Sequence, residues 1–208
     1  MILLGLTGSI GMGKSTAATM LRALGLPVHD ADATVHRLLG KGGAAVAKVD
    51  AAFPGVVSQG AVDRRLLGNR VFGDDASLRR LEKILHPMVR AAERRFLGRM
   101  RRQRRKIAVL DIPLLYETGG EARVDAVIVV SAPARIQALR VLRRPGMTPQ
   151  KFRAILAKQI SDSEKRRHAD FVVTTGLSRA HSLRQLKQIV RLTRDNSSRY
   201  KTRRSRHA

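Results

Sequence analysis

Gly8-Ser9-Ile10-Gly11-Met12-Gly13-Lys14-Ser15 is the stretch on which the reading of this chain turns. It fits G-x-x-x-x-G-K-[ST] at every fixed position, a match that average composition produces by chance in roughly one 200-residue chain in a hundred. Its flanks supply the context the pattern needs. Ile2–Thr7 is a nearly continuous apolar run, as expected of a strand buried on both faces. After the loop, Ala17, Ala18, Met20, Leu21 and Leu24 recur at helical spacing, and Gly25 closes that helix. Backbone N–H groups from Gly11 to Thr16 can converge on phosphate oxygens only where side chains are minimal. The helix starting near Lys14 turns its positive end toward the same oxygens. Lys14 then reaches the outer phosphates, and the Ser15 hydroxyl is placed to ligate Mg²⁺. A glycine turn with an incidental surface lysine would need none of this spacing.

Outward from the loop, strands alternate with helices. Leu26–His29 reads as a short second strand, Ile107–Asp111 as a third, Ala126–Val130 as a fourth and Phe171–Thr174 as a fifth. Residues 32–53 and 62–105 are largely helical by spacing, with breaks near Gly42-Gly43, Pro54-Gly55 and Pro87. Further helices are expected over about 133–143, 149–160, 162–168 and 179–194. This alternation predicts an α/β fold: a parallel five-stranded sheet flanked by helices in three layers, of the phosphate-loop NTPase type. No internal repeat is present.

Composition bounds the function. The chain has 208 residues, enough for one domain with an ample core. It has no cysteine, which excludes disulfides, thiolate zinc sites and a cysteine nucleophile. No apolar run approaches the roughly 20 residues of a membrane span, and the first residues lack a secretory pattern. A cytoplasmic protein with no membrane partner is the expectation. Formal net charge is +25, unevenly spread: residues 1–60 hold 5 basic and 3 acidic side chains, and the remainder 36 and 13. The excess concentrates in Arg99–Lys106 and in the tail, 195–208, expected to be disordered. Aromatics are 3% of residues, with no tryptophan, so base-stacking platforms are scarce. Polyanionic small substrates account for the charge without a dedicated nucleic-acid partner, although the tail can contact polyanions nonspecifically.

Three further features carry chemistry. Asp30-Ala31-Asp32 ends the second strand, on the side where open α/β sheets bind ligands. A carboxylate there can orient an accepting hydroxyl, take its proton or help hold Mg²⁺; alternatively, Asp30 or Asp32 caps the helix that follows. Asp111 ends the third strand, where it can hold Mg²⁺ or contact the acceptor. Arg135, Arg140, Arg143 and Arg144 lie on one helix and can neutralise a transferring phosphoryl group, or form a solvated basic face.

Taken together, these segments resemble the dephospho-CoA kinases. The resemblance rests on Leu6–Thr16, Asp30-Ala31-Asp32, Asp63-Arg64, Leu81–Pro87, Asp111, Pro113–Glu117, Gln137, Arg140, Arg144, Gln159, Glu164–Arg166 and Ala169-Asp170, in order over residues 2–190. It implies transfer of the ATP γ-phosphoryl group to the ribose 3′-hydroxyl of dephospho-CoA, with Mg²⁺ accompanying ATP. Residues 1–194 would form the kinase domain, with a helical acceptor-binding region near 60–105 and a lid near 140–165. Carried over by position, Gly8, Gly11, Met12, Gly13, Lys14, Ser15, Thr16 and Arg144 would bind ATP. Lys14, Asp32 and Arg140 would be catalytic, with Asp32 the base and Arg140 acting on the transferring phosphate. Ser15 and Asp111 would hold the metal. His86, Pro87, Leu114, Leu115, Tyr116 and Glu117 would line the acceptor site. The chain departs from the family pattern at Ser9, Met12, Ile155 (often arginine) and Thr174-Thr175-Gly176, where many members carry asparagine near the adenine. Another small-molecule kinase of this loop type is one alternative, and it leaves His86-Pro87 and Pro113–Glu117 unexplained; a nucleic-acid-binding ATPase is the other, and steep weakening of binding with salt would mark it.

Overall fold

The computed structural model describes residues 1–195. The five strands expected from sequence form one sheet: β1 (Ile2–Thr7), β2 (Val28–Asp30), β5 (Ile107–Asp111), β6 (Ala126–Ser131) and β7 (Phe171–Thr174), in the order β2-β5-β1-β6-β7. β1 is central and parallel to both neighbours, with Leu4 opposite Val109 on one side and Ala126 on the other. β6 and β7 are also parallel, Ile128 facing Phe171. Every residue of β1, β5 and β6 is buried, which is why these strands read as apolar runs that give way to a polar residue only at their ends.

The described residues divide into two compact units, 1–29 with those from Met100 on, and Asp30–Arg99. In the first, α1 (Lys14–Ala23) and α9 (Arg179–Asp195) cover one sheet face. Ala17, Ala18 and Leu21 of α1 and Leu186, Ile189 and Val190 of α9 pack on Leu4, Leu6, Ile128 and Val130. Full burial of each such leucine or isoleucine contributes about 1.5–3 kcal/mol. The opposite face carries Val127 and Val129 against Leu115, Ile112 and Tyr116 of the segment after β5. α6 (Ala134–Leu142), α7 (Pro149–Ala157) and α8 (Asp162–His168) complete this unit.

The second unit holds α2 (Ala31–Leu39), α3 (Val46–Ala52), α4 (Arg64–Val71) and most of α5 (Asp75–Arg102) around Leu39, Val49, Phe53, Leu67, Leu81 and Leu85. One expectation needs correction here. Pro87 does not break a helix: α5 runs through it for 28 residues. Leu81, Ile84, Leu85 and Met88 form an apolar stripe packed in the core on both sides of the proline, and that burial outweighs the missing N–H bond. The actual break lies earlier, at Gly73 (φ 84°), where Asp74 caps α5 by accepting from the amides of Ala76 and Ser77. An antiparallel hairpin, β3 (Val57–Ser58) with β4 (Ala61–Val62), also went unread, because two-residue strands show no periodicity. Of the tail expected to be disordered over 195–208, Asp195 is the last residue of α9, and 196–208 lie outside the described residues.

Candidate active site

The loop between β1 and α1 takes the shape its glycines require. Gly11 (φ 77°) and Gly13 (φ 90°) occupy the left-handed region. A side chain at Gly8 would place its Cβ 2.4 Å from Val130 Cγ2, and one at Gly11 would place it 2.5 Å from Val141 Cγ2. Met12 turns its side chain away from the loop's concave side. It is 2% exposed within the core, and its sulfur accepts from the Ala132 amide at 3.1 Å. A larger residue at Met12 is therefore accommodated behind the loop.

Lys14 and Asp111 are brought together, with Nζ 2.6 Å from Oδ1 and the aspartate buried at the end of β5. Thr7 Oγ1 donates to the Pro113 carbonyl at 2.9 Å, tying the ends of β1 and β5 to each other beside this pair. Ser15 and Thr16 are exposed at the start of α1. Among the described residues no cluster of three or more His, Cys, Asp or Glu could cage a metal. The site instead offers oxygen donors, the Ser15 hydroxyl and the Asp111 carboxylate. Such donors suit a hard divalent cation that keeps most of its shell from phosphate and water.

Arg140 is half-buried near the end of α6. Its guanidinium donates to the Gly11 carbonyl at 3.4 Å and to Thr175 Oγ1 at 3.0 Å. Arg144 is exposed just beyond α6. Two glutamines grip the peptide of Ile10 from opposite sides: Gln137 Nε2 donates to its carbonyl at 2.8 Å, and Gln159 Oε1 accepts from its amide at 3.1 Å. These loop-holding glutamines were not among the expected site residues. Their sequence signal was their place in the family resemblance, and Gln137 is 6% exposed on the inward face of α6.

In the Pro113–Glu117 segment, Leu114 is exposed, whereas Leu115 is fully buried against Val127 and Val129. Glu117 Oε1 accepts from the Ile160 amide at 3.0 Å and lies 2.7 Å from Nζ of Lys165, a fully buried lysine. That contact is an ion pair rather than an aligned hydrogen bond. Tyr116 stacks obliquely on His168, the rings 6.3 Å apart, and lines a cleft of about 800 Å³ with Glu121, Arg123, Glu164, Lys165 and His168.

In the second unit, Asp30 caps α2, accepting from the Ala33 amide at 2.9 Å, so the capping role belongs to Asp30. Asp32 is exposed in the first turn of that helix. His86 and Pro87 are exposed on α5. Two carboxyls of this unit are held below the ordinary carboxylate value by capping. For Asp63 the Leu66 amide is the main cause, then the Arg65 amide; for Asp74 it is the Ser77 hydroxyl, then the Ser77 amide.

Comparison with known proteins decides the family. The model of the dephospho-CoA kinase family matches residues 2–179. The chain belongs to the dephospho-CoA kinase family. It is 70% identical over 166 residues to the dephospho-CoA kinase of Paramagnetospirillum magneticum, spanning 80% of this chain and 78% of that one. It is 55% identical over 202 residues to the enzyme of Rhodospirillum rubrum, spanning 96% and 95%. Among solved structures, the dephospho-CoA kinase from Campylobacter jejuni is 25% identical with a TM-score of 0.61, over 91% of this chain and 95% of that one. A shikimate kinase from Acinetobacter baumannii, 19% identical with a TM-score of 0.52 over 94% of each chain, shares the fold. Dephospho-CoA kinases transfer phosphate from ATP to dephospho-CoA in coenzyme A biosynthesis, and this chain is a kinase of that kind. No helix among the described residues is long and apolar enough to cross a membrane.

Proposed function

We propose that the chain phosphorylates the ribose 3′-hydroxyl of dephospho-CoA, with the phosphate loop and the Lys14–Asp111 pair as its transfer centre. The observation that carries this reading is that pair, 2.6 Å apart beside the loop's glycines. A buried carboxylate holds the ammonium extended, and an arriving phosphate competes for the same charge. Amides of Gly11, Met12, Gly13, Ser15 and Thr16 bind ATP phosphates in this reading, Gly8 lets the loop close on β6, and Arg144 adds charge from beyond α6.

Ser15 and Asp111 would hold Mg²⁺ brought by ATP, which when bound neutralises phosphate charge. Asp32 accepts the proton of the attacking 3′-hydroxyl. A bond forms from that oxygen to the γ-phosphorus as the bond to the ADP oxygen breaks. Arg140 stabilises the transferring group's charge. His86, Pro87, Leu114 and Tyr116 contact the acceptor, while Leu115 and Glu117 fix the segment that presents them. Residues near 60–105 form the acceptor-binding region and those near 140–165 a lid that excludes water. Such an enzyme works in the cytoplasm, on ATP and dephospho-CoA alone.

Steady-state kinetics of Asp32→Asn tests the assignment. Loss of the base lowers kcat about 100-fold or more with KM for ATP little changed. A kcat within about threefold of the parent would remove Asp32 from the chemistry.

A further inference from the structure

The turn after β7 is one of the places where this chain leaves the family pattern, and the loop is fastened to it from behind. We propose that Thr175 is a positioning residue for phosphoryl transfer, its hydroxyl fixing the Met12 carbonyl and anchoring Arg140 so that loop and guanidinium are set before nucleotide arrives.

A loop whose N–H groups converge inward must turn carbonyls outward, and those carbonyls need donors of their own. Two consecutive ones find them here. The Gly11 carbonyl accepts from Arg140 Nη1 at 3.4 Å, and the Met12 carbonyl accepts from Thr175 Oγ1 at 2.6 Å. A hydroxyl has one hydrogen and two lone pairs. Thr175 commits its hydrogen to Met12 at the shorter distance, while the Ser131 carbonyl lies 3.4 Å away. Its oxygen remains free to accept from Arg140 Nη1 at 3.0 Å, and the Thr175 carbonyl takes Nη2 of the same guanidinium.

Thr175 is itself held rigidly. Its amide donates to the Ser131 carbonyl at 2.8 Å, so the residue is fastened to the end of β6. Next to it, a side chain at Gly176 would place Cβ 2.5 Å from Pro133 Cδ, so the glycine lets the turn close on the start of α6. On the loop side, Gly13 lies so near that a Cβ there would sit 3.1 Å from Thr175 Oγ1. One hydroxyl thus links the sheet, the phosphate loop and the arginine assigned to the transferring group. Valine would fill the same space and leave the Met12 carbonyl without its donor.

The inference rests on the proposed transfer centre, so its test runs Lys14→Ala alongside. Thr175→Val removes the hydroxyl and keeps the branched shape; Thr175→Ser keeps the hydroxyl. Thr175→Ala removes the hydroxyl again without the branch, should valine impair folding. Initial rates are measured against ATP and against dephospho-CoA, with melting curves for each protein. Both hydroxyl-free variants lower kcat/KM for ATP by about 10- to 100-fold, the cost of a misplaced reacting geometry. KM for dephospho-CoA stays within about threefold, and serine restores the ATP terms to within about threefold. A purely structural residue would move melting and both substrates together. Hydroxyl-free variants within about threefold of the parent, or a serine variant as impaired as valine, would overturn the inference. If Lys14→Ala keeps its activity, the transfer-centre reading itself fails. An inactive Lys14→Ala beside a normal Thr175→Val removes only the role of Thr175.

Discussion

Replacing Glu117 with alanine strands a buried ammonium. Lys165 has no solvent exposure, and its ion-pair partner among the described residues is Glu117, at 2.7 Å. The same carboxylate oxygen accepts from the Ile160 amide, so the substitution also leaves a partly buried N–H without its acceptor. Breaking a buried pair from one side costs about 3–5 kcal/mol. For a chain of this length each kcal/mol moves the melting temperature about 2–4 °C, so Glu117→Ala lowers it by about 6–20 °C. The structural origin of that loss is tested by removing both charges. Lys165→Met with Glu117→Gln keeps an acceptor for Ile160 and buries an apolar chain where the ammonium was. The double variant therefore recovers at least about 2 kcal/mol relative to the sum of the two single changes. Urea and thermal unfolding of the parent, Glu117→Ala, Glu117→Gln, Lys165→Met and the double variant measure the cost and the coupling. A Glu117→Ala cost below about 1 kcal/mol, or strictly additive changes, would refute the reasoning and return Glu117 to a direct role in acceptor binding.

Gly11→Ala forces a Cβ to within 2.5 Å of Val141 Cγ2 at φ 77°; it weakens ATP binding by at least about tenfold in a titration, with destabilisation of about 1–3 kcal/mol. Normal affinity would show that the loop relaxes freely. Acid unfolding has a contribution from Asp63 and Asp74, both held below the ordinary carboxylate value by capping bonds. A lowered folded-state pKa stabilises above the unfolded value, so this contribution is complete above about pH 4–5 and is lost as pH falls through the folded values. Asp74→Asn flattens the acid limb of melting temperature against pH, and an unchanged limb would contradict the capping account. Deleting residues 196–208 leaves kcat and both KM values within about threefold while removing polyanion binding that weakens steeply between about 50 and 200 mM salt. Binding that survives the deletion would place it on the folded residues.

The middle of the sheet was legible because three of its strands are signalled by burial. Ile2–Thr7, Ile107–Asp111 and Ala126–Ser131 are buried throughout and therefore carry no polar side chain before their last residues, Thr7, Asp111 and Ser131. The phosphate loop was legible for a different reason: its backbone conformation excludes side chains at Gly8 and Gly11, which leaves a pattern of glycines. Interior details of Asp30–Arg99 were harder to read. Pro87 looks like a helix breaker locally, and only the packed stripe of Leu81, Leu85 and Met88 overrules it. The contacts that satisfy the loop's backbone groups were not legible from spacing. Thr175 reaches Met12 across 163 residues and Gln159 reaches Ile10 across 149, and a single hydroxyl or amide carries no spacing that announces such a contact. Glu117 was visible as part of a motif, but its engagement with Lys165 and Ile160 depends on how the chain returns after α7.

The most direct test is mass spectrometry of the protein with ATP, Mg²⁺ and dephospho-CoA, beside Lys14→Ala and a panel of nucleosides and sugars. The account predicts one product, dephospho-CoA heavier by a single phosphoryl group carried on the ribose 3′-oxygen, and its loss in Lys14→Ala. Phosphorylation of a nucleoside or sugar in its place, or full product formation by Lys14→Ala, would contradict it.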